Sequence, residues 1–201
     1  MTFADIDNVV VVHGPQLTRL TDEEFFDLCQ HNPTLRLERN ADHEIVFMPP
    51  AGSESSHNSG EVFFQLKLWN RQYQLGYAFE SSAGFTLPDG SVRSPDASWV
   101  AKAIYDALPE YQRLRFPPVC PAFVVEVRSP SDGLAPLRRK METYLANGVQ
   151  VGFLLDPTAE TATIYRPGQE PQEISHFDQA LSAAPALPGF ELDLRPLRRL
   201  G

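Results

Sequence analysis

Glu126 constrains this sequence more than any other residue. It stands inside Phe123-Val124-Val125-Glu126-Val127, an apolar run whose β-branched and aromatic content predicts a strand over Ala122 to Val127. A carboxylate enclosed in such a strand without a partner is costly. Side chains alternate along a strand, so Val124, Glu126 and Arg128 share one face while Phe123, Val125 and Val127 share the other. Two readings follow. Either Glu126 is an edge-strand carboxylate paired with Arg128, or its face of the strand lines a charged site. The local pattern alone favours the first.

The segments around this strand predict a mixed architecture. Thr21-Asp22-Glu23-Glu24 has the form of a capping box and predicts a short helix through about Gln30. Glu44 to Met48 reads as a strand stopped by Pro49-Pro50, followed by a Gly/Ser-rich loop over 51–56. A helix over Asn58 to Tyr73 places Val62, Leu66 and Trp69 at helical spacing. Gly76 to Leu87 reads as one or two strands closed by Pro88-Asp89-Gly90, and a further strand surrounds Ala97 to Val100. Lys102 to Pro118 reads as a loop with a helical turn. Leu134 to Ala146 reads as a helix capped by Asn147-Gly148. Val151 to Leu155 and Thr161 to Tyr165 form a hairpin around Asp156-Pro157. The expected fold is mixed α/β or α+β: a mixed β-sheet flanked by helices.

At 201 residues and 42% hydrophobic, the chain can bury a sizeable core, which excludes extended disorder. No stretch approaches the roughly 20 apolar residues that cross a bilayer, and Met1-Thr2-Phe3-Ala4-Asp5 lacks a basic leader, so no signal peptide and no membrane partner are expected. Cys29 and Cys120 lack a metal-knuckle spacing and read as two separate thiols, which suits a reducing cytoplasm. The net charge of −9 argues mildly against a generic nucleic-acid binder. Its distribution is uneven, because Tyr111 to Lys140 holds six basic and two acidic residues. A local positive lip on an acidic protein is one reading, and a solvated surface gives a similar count.

Two further residues stand out. Ser94-Pro95-Asp96 precedes the apolar stretch Ala97 to Val100, and proline there fixes the chain's entry and leaves Asp96 at the strand's start. Taken alone this is an ordinary turn. Combined with Glu126, it offers two carboxylates to one hard divalent cation, and magnesium commonly takes one or two carboxylates plus waters. On the helix over Leu134 to Ala146, the residues Leu134, Leu137, Met141, Tyr144 and Leu145 form one apolar stripe. Lys140 lies roughly 90° from its centre. A lysine at that border either stays solvated or lays its stem along the core and extends its ammonium toward a neighbouring strand.

Together these segments carry a resemblance. Pro95-Asp96, the run Pro121 to Asp132, Arg139-Lys140-Met141-Glu142-Thr143-Tyr144 and Gly148-Val149 resemble the Uma-two restriction-endonuclease family of the PD-(D/E)XK nuclease superfamily. Leu17 to Phe26, Met48-Pro49-Pro50, His57-Asn58 and Phe85 to Arg93 resemble its N-terminal half. The likeness spans about Leu17 to Tyr165 and is looser over 169–201. It implies a restriction-endonuclease-like domain over 17–168, an N-terminal extension over 1–16, and a C-terminal extension over 169–201 packed on the same domain.

The resemblance implies that Asp96 and Glu126 hold Mg2+, with Mn2+ as an alternative, for hydrolysis of phosphodiester bonds in DNA. The superfamily's lysine stands two residues after the strand acid, where this chain has Arg128. An arginine stays protonated and can offset charge without acting as a base. The family places the lysine on the following helix, at Lys140. Glu38, in Leu35-Arg36-Leu37-Glu38, and His57 are second-tier candidates for the metal and for phosphate or water, against a capping or surface role for either. A homodimer suits cleavage of both strands, though the sequence leaves the oligomeric state open. Three classes stay in play: a DNA endonuclease, a nuclease-fold binding or structural module without turnover, and a hydrolase of a small phosphate ester. The last lacks a phosphate-cradling GxxxxGK[ST] loop.

Overall fold

The capping box forms: Glu24 donates its backbone N–H to the Thr21 hydroxyl at 3.2 Å, and Thr21 donates its own to the Glu24 carboxylate at 2.8 Å, starting α1 (Asp22–His31). The computed structural model describes residues 10–12, 14 and 17–198. The leader reading at Met1 to Asp5, most of the expected extension over 1–16 and the last three residues of the tail lie outside them. Before α1 comes β1 (Val10–Val12). After it follow β2 (Arg36–Arg39), β3 (Ile45–Met48), α2 (Ser53–Tyr73), β4 (Gly76–Glu80), β5 (Phe85–Thr86), β6 (Val92–Arg93) and β7 (Ala97–Ala101). The second half comprises α3 (Lys102–Asp106), α4 (Glu110–Arg113), β8 (Phe123–Val127), α5 (Leu134–Ala146), β9 (Val151–Asp156), β10 (Thr161–Tyr165), β11 (Gln172–Ser175), β12 (Ala180–Ser182) and β13 (Glu191–Asp193).

The fold is mixed α+β. Six strands form the larger sheet in the order β11-β10-β9-β8-β7-β4. Only β8 and β9 run parallel among its pairs, and α5 makes the crossover that a parallel pair requires. The alternation along β8 divides the core. Phe123, Val125 and Val127 pack with Val62, Leu66 and Trp69 of α2 and with Phe177, Phe190 and Leu192 of the C-terminal segment. Val124 packs on the other side with Met141 and Tyr144 of α5. Gly152 on β9 lets α5 come close, because a Cβ there would lie 2.5 Å from Met141 Cε.

The smaller antiparallel sheet has the order β1-β3-β2-β6-β5. It packs against α1 through Phe25, Ile45 and Val92. Arg39 of β2 is fully buried, and its guanidinium donates to Leu20 O, Gly90 O and the Asp22 carboxylate. Charge-assisted bonds of this kind tie α1 and the 88–90 turn to β2.

Several expectations need correction. α2 begins at Ser53 rather than Asn58, so most of the supposed Gly/Ser loop is helix. Gly52 is its N-cap, and Glu54 in the first turn suits the helix dipole. Arg36–Arg39 is a strand that the sequence pattern hid, since its alternation is short and two of its four residues are arginine. β8 is an interior strand rather than an edge. The segment 102–118 holds two short helices rather than one turn. Among the described residues, no helix is long and apolar enough to cross a membrane.

Candidate active site

The pairing of β7 with β8 aligns two carboxylates. The ladder's last register pair is Ala97 with Val125, and one step beyond it Asp96 stands opposite Glu126. Residues directly opposite in an antiparallel pair project from the same face. Pro95 lacks an N–H and pre-sets φ, which suits a residue just before a strand. Asp96 Oδ2 accepts the Val127 backbone N–H at 2.7 Å, so its side chain is fixed from the partner strand.

Lys140 reaches this face from α5. Its ammonium lies 2.9 Å from Glu126 Oε1 and 2.9 Å from Glu38 Oε1, with the lysine side chain only 11% exposed. Tyr144, one turn further along α5, donates its hydroxyl to the same Glu126 oxygen at 2.9 Å. Glu38 comes from the smaller sheet and accepts from Arg93 Nη1 at 3.1 Å and from the Ser94 backbone N–H at 2.9 Å. Four elements and the turn into β7 thus converge on one buried cluster.

The electrostatics of the cluster are unbalanced, with three carboxylates facing two cations. Burial raises Glu126 to about 7, aided by repulsion from Asp96 and Glu38, and Lys140 only partly offsets this. Asp96 is also raised, chiefly by burial, against the Val127 N–H and Lys140. Glu38 is lowered: burial opposes its charge, but Lys140, Arg93 and the Ser94 N–H together outweigh it. Burial likewise opposes the charge of Lys140, and Glu126 with Glu38 reverses that, so its pKa is raised and the ammonium is retained. Lys140 and Glu126 are therefore not symmetric partners. The lysine gains from two carboxylates, whereas Glu126 carries the repulsion of two.

This donor set fits a hard divalent cation. Among the described residues no hydrogen bond engages Asp96 Oδ1 or Glu126 Oε2, which leaves one oxygen from each of two opposed carboxylates. Among the same residues no three His, Cys, Asp or Glu side chains form a ready-made metal cage. Two carboxylates completed by water are enough for magnesium.

Arg128 does not join the cluster. The parallel register sets Arg128 beside Asp156, and its guanidinium donates to Asp156 Oδ2 at 2.6 Å and to Asp132 O at 2.9 Å. The edge-strand pairing of Glu126 with Arg128 is thereby replaced: Glu126 pairs with Lys140. His57 is exposed on the second turn of α2, with no hydrogen bond or ion pair among the described residues. Glu38, ranked lower by sequence, is central. Arg93 and Tyr144 were not singled out as site residues. Only the four-residue spacing of Lys140 and Tyr144, and the polar tip of a tyrosine in an apolar stripe, signalled the second.

A cleft of about 350 Å³ opens beside Asp96 and is lined in part by Arg36, Met48, Ser81, Ser94 and Phe116. A mixed sheet that opposes two carboxylates across its interior strands, with a lysine supplied by the crossover helix, defines a nuclease-type fold. The same fold occurs in the crystal structure of a putative nuclease belonging to DUF820 from Anabaena variabilis, with a TM-score of 0.72 and 21% identity over 89% of this chain and 97% of that one. The profile of the Uma2 family, described as putative restriction endonuclease, matches residues 22–195. The chain belongs to the Uma2 family. Comparison with curated proteins returns no match.

Proposed function

We propose that this protein is a divalent-metal-dependent endonuclease that hydrolyses phosphodiester bonds in DNA. The observation that carries the reading is the opposition of Asp96 and Glu126, each with one carboxylate oxygen that accepts no hydrogen bond among the described residues, beside a buried lysine ammonium. Asp96 and Glu126 would hold the ion, with Mg2+ the natural choice for such a carboxylate pair. A divalent ion held there would supply Lewis-acid activation of the phosphate and of the attacking water. The protein's own groups do the rest. The Val127 N–H holds Asp96 Oδ2 and the Tyr144 hydroxyl holds Glu126 Oε1, which would leave the second oxygen of each carboxylate for the ion. Lys140 keeps its proton, so it acts as a fixed positive charge for the attacking water and the developing phosphorane charge rather than as a base. Glu38, anchored by Arg93 and Ser94, holds the lysine in place. A reducing, cytoplasmic setting is part of this reading, because Cys29 and Cys120 are both free thiols.

One observation favours binding without turnover: the Lys140 ammonium bridges Glu38 and Glu126 and so neutralises part of the charge that would attract an ion. Plasmid cleavage separates the two readings. Magnesium- or manganese-dependent cutting that disappears in Asp96→Ala supports the enzyme. Tight DNA binding by the intact protein without any cutting supports the binding module.

A further inference from the structure

α2 has two apolar faces. Val62, Leu66 and Trp69 pack on the larger sheet, whereas Phe64 and Leu68 point away from it and are 58% and 55% exposed. Exposed apolar residues that stand singly need no explanation. These two are neighbours, because residues four apart share one side of a helix. Charges bracket them on that side, with Glu61 three positions before Phe64 and Arg71 three after Leu68. Steps of three, four and three along a helix form the seam by which two helices pack side by side.

The chain itself leaves this seam unclaimed. Among the described residues Arg71 makes no hydrogen bond or ion pair, and Glu61 accepts only from its helix neighbour Gln65, at 3.0 Å. Gly60 borders the same seam. Glycine inside a helix is destabilising relative to alanine, yet a Cβ at Gly60 would meet nothing within 4 Å. The chain's own packing therefore does not call for glycine there, whereas a second helix laid close alongside does.

We infer that this face of α2 is the contact of a symmetric homodimer, with α2 packed antiparallel on α2 of a second copy. The order of the charges selects that occupant. About a two-fold axis passing beside Leu66, Phe64 of each copy meets Leu68 of the other and Glu61 meets Arg71, because both pairs are centred on the same residue. The helix dipoles also oppose one another in this arrangement. A parallel pair would set Glu61 on Glu61 and Arg71 on Arg71. The face is thus complementary to itself, as a two-fold contact requires. α2 lies on the side of the larger sheet opposite to Val124, whose face Glu126 shares. The two carboxylate clusters therefore face outward from the pair and do not close together on one duplex, and the inference stands independently of the nuclease reading.

One helix pair is a small contact beside the roughly 800 Å² per partner of a typical stable interface, so association should be reversible and depend on concentration. The test is sedimentation velocity with the full chain, over a dilution series through the micromolar range. A monomer–dimer equilibrium is the expected result. Leu68→Glu sets a carboxylate against Phe64 of the other copy and should weaken association by at least about 100-fold. Glu61→Arg and Arg71→Glu should each weaken it by about tenfold, since each brings like charges together twice in the dimer. The double variant carrying both changes restores opposite charges and should regain the parental association. A chain that stays monomeric throughout the series overturns the inference. So does a dimer that Leu68→Glu leaves intact, or one that the double variant fails to restore, because its contact then lies elsewhere.

Discussion

Lys140 and Glu126 meet at 2.9 Å although a turn and half a helix separate them along the chain, and Glu38 from the other sheet meets the same ammonium at the same distance. The lysine therefore has a structural duty as well as a chemical one. It is the charge that allows two glutamates to be buried side by side.

Lys140→Met should leave Glu38 and Glu126 facing one another without their shared cation. Removing one partner of a buried ion pair costs roughly 3–5 kcal/mol, so the midpoint of urea denaturation should fall by a corresponding amount. DNA cleavage should fall by at least about 100-fold. An unchanged midpoint would show that the two glutamates do not depend on the lysine.

Tyr144→Phe removes a single hydroxyl and keeps the ring that packs beside Met141. The lost hydrogen bond to a carboxylate should destabilise the protein by about 1.5–3 kcal/mol. Freed from that bond, Glu126 is less well aimed, and Mn2+ affinity in a calorimetric titration should weaken by about tenfold. Unaltered affinity would restrict the tyrosine to a packing role.

The folded surroundings raise the pKa of Asp96, chiefly through burial, so folding disfavours its charged form. Asp96→Asn keeps an acceptor for the Val127 N–H and removes the charge. Metal-free variant protein should unfold at a higher temperature than the parent, an instance of stability given up at a functional site. Added Mg2+ should raise the unfolding temperature of the parent and leave the variant unmoved. A parent that does not respond to either Mg2+ or Mn2+ would contradict the metal reading.

Acid should act through a different carboxylate. Asp89 and Asn147 bond reciprocally, the Asp89 N–H to Asn147 Oδ1 at 2.8 Å and Asn147 Nδ2 to Asp89 Oδ2 at 2.9 Å, tying the 88–90 turn to the end of α5. Burial works against the Asp89 charge, yet hydrogen bonds from the Ser91 hydroxyl and N–H and from Asn147 hold its pKa below the ordinary value. A lowered folded-state pKa contributes stability that is present above the unfolded value, about 3.9, and is lost as the pH falls from there through the folded one. Asp89→Ala should therefore lower stability at neutral pH and flatten the decline below about pH 4. Denaturation midpoints measured from pH 2 to 6 check this, and parallel curves for the two proteins would contradict it.

Local signals were enough for much of the fold. The capping box at Thr21, the stripe from Leu134 to Leu145 ending at Asn147-Gly148, and the apolar runs of β8 and β9 each fixed an element, because each depends on hydrogen bonds or spacing within a few residues. β2 was missed for the converse reason. Arg39 and Glu38 read as surface charge in sequence, and only their partners Asp22, Gly90, Arg93 and Lys140, 17 to 102 positions away, make them burial-tolerant. Ser53 to Ser56 looked like loop because serine is a weak helix former, yet the packing of Val62, Leu66 and Trp69 on the sheet carries the helix back through them.

The sequence by itself determined that a charged residue would sit in an apolar strand, that an aspartate would precede a second short apolar strand, and that a lysine would border the apolar face of a helix. Spacing along the chain sets which way each side chain points from its own element. Tertiary structure alone decided which charges would meet. The parallel register of β8 and β9 gave Arg128 to Asp156, the antiparallel register of β7 and β8 set Asp96 against Glu126, and the second sheet brought Glu38 to Lys140. Ion pairs buried between elements depend on register and packing distance, and neither is encoded within any one segment.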